Sequence, residues 1–342
     1  MAKTTEIEFD GKDIVLLDDD LNYTTHTVES VLSNDLSFWK GWHCAIGLRS
    51  LYIDYEGNVV RGTCREGGVV ANIYKKSIPL NIAIGNKWTV CGKQVCSCGA
   101  DMAVPKVKNQ ESILRFFDSN KIREFDLNYK LPKIDAEVVY STNYNYKTIT
   151  WAIGRRCNFD CWYCPESDHN NFEAHKDYDT LMAAYNILST QWIKGEPTKF
   201  SMLGGELTVY KDYLPFVKTL RKDGHGSITT TNGSRDADYY AELAQVSDLC
   251  FSLHLNYLKT LGIEKFIKSI DAAIRNKAEN FIRIRLMVDP GNLEYAKEVH
   301  EILLEKFNGR CLIAIKPVHD TQGKLFPYEP KEIIWIQNPI DK

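Results

Sequence analysis

From residue 147 onward, apolar positions alternate in short runs and then recur every three to four residues, and the two rhythms replace each other repeatedly. Alternation predicts strands at 147–153, 198–203, 226–231, 249–254, 282–288 and 311–316. The slower rhythm predicts helices over about 177–190, 210–222, 236–246, 260–277 and 292–307, separated by joints rich in Ser, Asp and Gly. Repeated βα units imply an α/β fold with a parallel sheet and its helices on the outside. In such folds sites assemble from loops at the carboxyl ends of the strands. Periodicity alone does not separate a partial barrel from an open doubly wound sheet.

Upstream the rhythm is weaker. Short strands are predicted at 7–9 and at Ile14–Leu17, and a helix through 27–32. Apolar residues on either side of Glu56-Gly57-Asn58 read as a β-hairpin, which draws its flanks, and with them Cys44 and Cys64, together. A Gly-bearing loop within 81–103 carries Cys91, Cys96 and Cys98. Residues 105–146 read as a linking segment, helix-like at 111–118 with a strand near 138–140. The expected organisation is a module at 1–104, the linker, the βα array at 147–318, and a tail at 319–342 that covers the open sheet edge.

Composition narrows the classes of function. Forty-two basic against 45 acidic side chains argue against bulk nucleic-acid binding, and the tail shows no basic-aromatic stripe of RNA-binding type. No run of 18 apolar residues occurs, and residues 1–5 have no signal-like apolar segment behind them, so a cytoplasmic location is expected. Ten cysteines are too few for a disulfide scaffold of this length and fall into groups, which in a cytosolic chain points to metal. Cys250 and Cys311 lie on strand candidates and read as buried thiols.

The densest group is Cys157-Asn158-Phe159-Asp160-Cys161-Trp162-Tyr163-Cys164, in the loop directly after the first strand of the array. Three cysteines at this spacing can converge on one soft-metal centre. Three thiolates are one short of a closed site, so a cubane held this way keeps one iron free. A zinc knuckle would need a fourth ligand, for which His169 is the close imidazole. Phe159 and Trp162 suit the exclusion of water from such a loop. After the second strand comes Gly204-Gly205-Glu206, two glycines that permit close backbone approach and a carboxylate able to accept from a bound ammonium. Arg283 and Arg285 alternate on the fifth strand and so share one face, which is either the interior or the solvated exterior. Asp289 and Lys316 end their strands.

The CxxxCxxC run with Tyr163 before its last cysteine, followed by Gly204-Gly205-Glu206 and by Thr231-Asn232-Gly233, resembles the radical S-adenosylmethionine (radical SAM) superfamily. Leu207 stands where that family usually has proline. The resemblance implies a partial (β/α)6 TIM-like barrel in which Cys157, Cys161 and Cys164 bind three irons of a 4Fe-4S cluster. S-adenosylmethionine would chelate the fourth iron, and an electron from a flavodoxin- or ferredoxin-type reductant would release a 5'-deoxyadenosyl radical that takes hydrogen from substrate. It assigns the cofactor pocket to Tyr163, Gly204, Gly205, Glu206 on the methionine amine, Asn232, Ser252, His254 and Arg285. His254 could instead face substrate or make core hydrogen bonds.

Cys44-Ala45-Ile46-Gly47, the hairpin, Cys64 and the later Cys91, Cys96 and Cys98 resemble the SPASM/twitch-like auxiliary modules of the same superfamily, placed here before the array. They imply a small α+β iron-sulfur domain and a second 4Fe-4S cluster on four of the five cysteines, although zinc also accepts four thiolates. The expected substrate is a peptide or protein. The alternatives are a small or nucleotide-derived metabolite, or RNA, and, in another class, a non-enzymatic iron-sulfur or zinc scaffold or sensor.

Overall fold

The computed structural model describes residues 14–17, 23–75, 77–96, 99–109, 138–141, 146–165, 169–320 and 325–337. The strand expected at 7–9, the helix-like 111–118 and Cys98 lie outside them. Two compact units divide the chain: 1–150 with 184–198, and 151–183 with 199–342.

The first unit is built from short strands. β1 (Ile14–Leu17), β2 (Tyr23–His26), β3 (His43–Cys44), β7 (Thr89–Val90), β8 (Lys106–Val107) and β9 (Val138–Ser141) form an antiparallel sheet in the order β2-β1-β9-β8-β3-β7. β4 (Ser50–Ile53), β5 (Asn58–Val60) and β6 (Val69–Asn72) form an antiparallel meander, and its first turn is the predicted hairpin. That turn is held by Asp54, whose Oδ1 accepts from the backbone N–H of Glu56 and of Asn58. The helix Val28–Ser33 covers β1: Val28 and Val31 are buried with Ile14, Leu16, Trp39 and Met102.

In the second unit the predicted strands appear as β10 (Lys147–Ala152, which begins in the first unit), β11 (Thr198–Leu203), β12 (Gly226–Thr231), β13 (Asp248–His254), β14 (Ile282–Val288) and β15 (Leu312–Pro317). Their order in the sheet is the order of the chain, and β11 to β15 pair in parallel. This order decides what periodicity left open. A doubly wound sheet reverses its strand order at a switch point, whereas right-handed crossovers that always advance in one direction leave every helix on the same face. The core is therefore a singly wound run of six strands, the order that a partial barrel requires.

Two helices differ from expectation. The span predicted at 260–277 is two helices, Leu255–Leu261 and Ile263–Asn276, parted at Gly262 (φ +79°). The helix Tyr178–Leu188 widens in its last turn, where Lys194 N–H bonds to Ser189 O five residues back. A further helix, Pro330–Gln337, was not anticipated. Its approach is fixed by Tyr328, whose hydroxyl donates to Val288 O (2.6 Å) and accepts from Val318 N (2.7 Å), tying the tail to the ends of β14 and β15.

Strand alternation sorts the barrel side chains. Phe200, Met202, Phe251, Leu253, Ile284 and Leu286 are buried on one face, where Phe251 meets Tyr240 of the helix Ala237–Val246. The opposite face carries rows in register: Ser252, Arg285 and Ala314, then His254, Met287 and Lys316. Arg285 thus points away from the helix layer, into the barrel. The helix Ala237–Val246 starts at Asp236, whose carboxylate accepts from Tyr239 N (2.9 Å). Asp236→Ala orphans that donor and is expected to cost about 1 kcal/mol, seen as a lower urea midpoint with an unchanged slope.

Candidate active site

The loop that follows β10 is fastened before it reaches its first cysteine. Arg155 N donates to Glu173 Oε2 (2.6 Å), and Arg156 N to the hydroxyl of buried Tyr210 (3.2 Å). From the other side, Gly204 and Gly205 lie directly against it. A Cβ on Gly204 would stand 2.0 Å from Gly154 O, and one on Gly205 2.1 Å from Arg156 O. Glu206 N then donates to Arg156 O (2.9 Å). The close approach expected of the two glycines is real, but what approaches is the strand-end backbone of the cysteine loop.

Glu206 is buried and both of its carboxylate oxygens accept hydrogen bonds. Oε1 accepts from Thr208 N (3.1 Å), Thr208 Oγ1 (2.6 Å) and Thr231 Oγ1 (2.7 Å), and Oε2 from Asn232 N (2.5 Å). Burial pushes its carboxyl above the ordinary range while these donors pull the other way. Asn232, so anchored, turns Nδ2 to Asn158 Oδ1 (2.9 Å) and to the Cys157 sulfur (4.0 Å), and Asn158 Nδ2 donates to Ser234 (2.9 Å). The end of β12 therefore grips the first cysteine.

The end of β13 grips the second. His254 Nδ1 lies 3.6 Å from Cys161 Sγ and 2.5 Å from Tyr163 Oη, with the two rings stacked at 5.9 Å. Burial pushes the His254 imidazole down to about 4, so it is neutral at physiological pH, and burial also raises the Tyr163 phenol. Buried Phe159 stacks face to face on Tyr257 at 3.6 Å, and Asp160 N donates to the Tyr257 hydroxyl. Trp162, by contrast, is 55% exposed, touching Phe326 (4.8 Å) and donating to Asp289 (3.4 Å). Its expected shielding role fits Phe159 better. His169 is committed to Phe159 O through Nε2 (2.8 Å).

Ser252 and Arg285 are half-buried on the inner face, in register with each other. Tyr257, Asn158, Ser234 and Tyr210 were not singled out in the sequence. Asn158 had a signal, being a polar amide between two cysteines, while the other three act through contacts made across the fold.

In the first unit, buried Cys44 packs with half-buried Cys64, and Cys91 lies within electrostatic reach of Cys44. Burial raises the Cys44 thiol and pushes that of Cys64 up to about 12. Asp101 fastens this corner by accepting from Thr63 N, Thr63 Oγ1 and Cys64 N. Cys96 instead packs against the cluster around Trp39 and Ile14.

Among the described residues no three His, Cys, Asp or Glu side chains are gathered as ligands for one metal ion. Two kinds of centre differ in what they ask of the sulfurs. A single tetrahedral ion holds each sulfur at about 2.3 Å and so demands tightly converging thiolates, whereas a cubane takes its thiolates at separate corners. Cys157, Cys161 and Cys164 are thiols outside any disulfide, and both neighbours act electrostatically on Cys161.

Residues 151–313 match the family model described as the Radical SAM superfamily. No curated protein sequence matches the chain. Among solved structures, similarity is found to SuiB of Streptococcus suis bound to precursor peptide SuiA (14% identity, 56% of this chain and 46% of that one, TM-score 0.43). Native anSMEcpe with bound AdoMet is also similar (17% identity, 51% of each chain, TM-score 0.38). So is TYW1 with a lysine-pyruvate adduct bound (16% identity, 59% of this chain and 72% of that one, TM-score 0.35). The chain thus spans about half the length of the first two.

Proposed function

The chain is a radical SAM family enzyme, and from that premise we propose that it cleaves S-adenosylmethionine reductively and abstracts hydrogen from a peptide or protein. One observation carries the reading: the ends of two neighbouring strands, through Asn232 and His254, reach two different thiols of the triad. A loop held this way is a prepared seat, with its sulfurs placed where α/β sites assemble. Cys157, Cys161 and Cys164 would hold a 4Fe-4S cluster. When bound, that group supplies the electron that breaks a carbon-sulfur bond of S-adenosylmethionine, drawn from a flavodoxin- or ferredoxin-type reductant.

The chain's own residues orient and shield. Phe159 on Tyr257 keeps water from the loop. Ser252 and Arg285 face into the barrel, where they suit the ribose hydroxyls and the carboxylate of the cofactor. Glu206 accepts from four protein donors and so holds Asn232, and its Oε2, which takes only one of the four, is the oxygen that would meet the methionine amine. Exposed Trp162 and 95%-exposed Phe172 flank the loop and offer apolar surface of the kind that receives peptide side chains. Cys44, Cys64 and Cys91 would contribute to a second, auxiliary cluster of the SPASM/twitch kind, with a further thiolate from Cys96 or Cys98. A cytoplasmic setting accords with thiols held outside disulfides.

The test is anaerobic reconstitution with iron and sulfide counting, followed by dithionite and S-adenosylmethionine. Formation of 5'-deoxyadenosine by the wild type, and none by the Cys157→Ala, Cys161→Ala, Cys164→Ala triple variant, is expected. An intact cluster without that product would overturn the reading. The triple variant is expected to keep about four irons, those of a second cubane; near-zero iron in folded protein would remove the auxiliary cluster.

A further inference from the structure

Asp289 follows directly on the carboxyl end of β14, and by strand alternation it continues the inner-facing series of Arg285 and Met287. The indole N–H of Trp162 reaches its Oδ2 (3.4 Å), so the carboxylate lies beside the cysteine loop. The residue is only 4% exposed, and its surroundings hold it still. Asn292 Nδ2 donates to the same Oδ2 (2.9 Å), and the orientation of that amide is set by Lys259, whose Nζ donates to Asn292 Oδ1 (2.6 Å). Both side-chain donors to Asp289 are therefore neutral, and both meet one oxygen. Oδ1 has no donor among the described residues, and no described lysine or arginine forms an ion pair with this carboxylate.

A buried carboxylate is costly unless a cation or several donors compensate it. Here one of the two oxygens is left open, at the end of the strands where α/β sites assemble. The neighbouring surface narrows what fills it. Trp162 is largely exposed and meets Phe326 at 4.8 Å, so aromatic rings border the carboxylate. An aromatic face beside a carboxylate suits a cation, which the ring quadrupole and the carboxylate attract together. A neutral N–H would satisfy the oxygen and leave the charge uncompensated.

We propose that Asp289 and Trp162 form a subsite for a cationic side chain of the substrate, the ammonium of a lysine or the guanidinium of an arginine. It rests on the substrate being a peptide. The cation meets Oδ1, while Oδ2 stays fixed by Trp162 and Asn292.

The probes are three glycine peptides, blocked at both ends and alike except for lysine, arginine or norleucine at the centre. Each would be titrated calorimetrically into reconstituted protein loaded with S-adenosylmethionine. Wild type is expected to bind a cationic peptide at least about tenfold more tightly than the norleucine peptide, as one charge-assisted hydrogen bond supplies. Asp289→Asn keeps the shape and an oxygen for Trp162 and Asn292, and should abolish that preference while the norleucine peptide binds as before. Asn292→Lys leaves Asp289 in place and offers it an internal ammonium; it should also abolish the preference, and it decides if Asp289→Asn does not fold. A preference that survives in the folded variant overturns the subsite. So does weaker binding of S-adenosylmethionine by Asp289→Asn with the peptide preference intact, which would turn the carboxylate toward the cofactor. Equal binding of the three peptides by wild type overturns the subsite alone, whereas binding of none overturns the peptide reading with it. The titration needs no turnover, so an absence of 5'-deoxyadenosine refutes the enzyme reading separately.

Discussion

Gly204→Ala and Gly205→Ala are each expected to lower stability by about 3–5 kcal/mol, in the range reserved for substitutions that force backbone apart. Two costs combine. The φ angles of +111° and +37° lie where an L side chain is strained, which costs on the order of 1–2 kcal/mol. The larger cost is steric, because the new methyl would sit 2.0 Å from Gly154 O or 2.1 Å from Arg156 O, and those atoms are backbone that cannot rotate away. Gly224→Ala separates the terms, since Gly224 has φ +85° and a methyl there would meet nothing within 4 Å. It should lose only the strain, about 1 kcal/mol. Urea denaturation of the three variants reads the difference. The two tight glycines also predict a functional signature: whatever folds should take up little iron at the triad, because the loop base has been displaced. If Gly204→Ala proved no worse than Gly224→Ala, the packing of β11's end against the cysteine loop would be wrong.

The barrel was legible because each of its strands is buried on one face and each helix packs on one side, so two rhythms recur with little ambiguity. Strand bounds from 147 onward agree with expectation to within one residue. What escaped was set by contacts or by single residues. Gly262 breaks an otherwise continuous helical rhythm, and Tyr328 docks the tail by hydrogen bonds that leave no periodic trace. In the site, spacing pointed to the triad, and alternation placed Arg283 and Arg285 on one face. Alternation is symmetric, so it could not say which face; pairing register and the position of the helices do. Glu206 shows the deeper limit. A carboxylate after two glycines suggests a ligand contact, and nothing along the chain shows that Thr208, Thr231 and Asn232 also supply it with partners from two separate strand ends.

That convergence makes Glu206→Gln the second large expectation, a loss of about 2–4 kcal/mol. The substitution is nearly isosteric, so packing is preserved and the effect isolates hydrogen bonding. Both carboxylate oxygens accept: three donors meet Oε1 and Asn232 N meets Oε2. An amide has one oxygen, so either orientation turns an NH2 toward a backbone N–H, of Asn232 or of Thr208, in a site closed to water. The threonine hydroxyls can rotate to relieve their share, but the backbone donors cannot. Thr231→Val removes one donor and leaves the carboxylate three, and is expected to cost less, about 1 kcal/mol. The consequence reaches the cysteines through Asn232, which Glu206 fixes on one side while it holds Asn158 and Cys157 on the other. Glu206→Gln should therefore weaken cluster retention in proportion to its loss of stability, measured as iron remaining after a chelator challenge. A variant of wild-type stability that bound S-adenosylmethionine poorly would instead mark Glu206 as a cofactor contact first, since a ligand contact can be lost without loosening the fold.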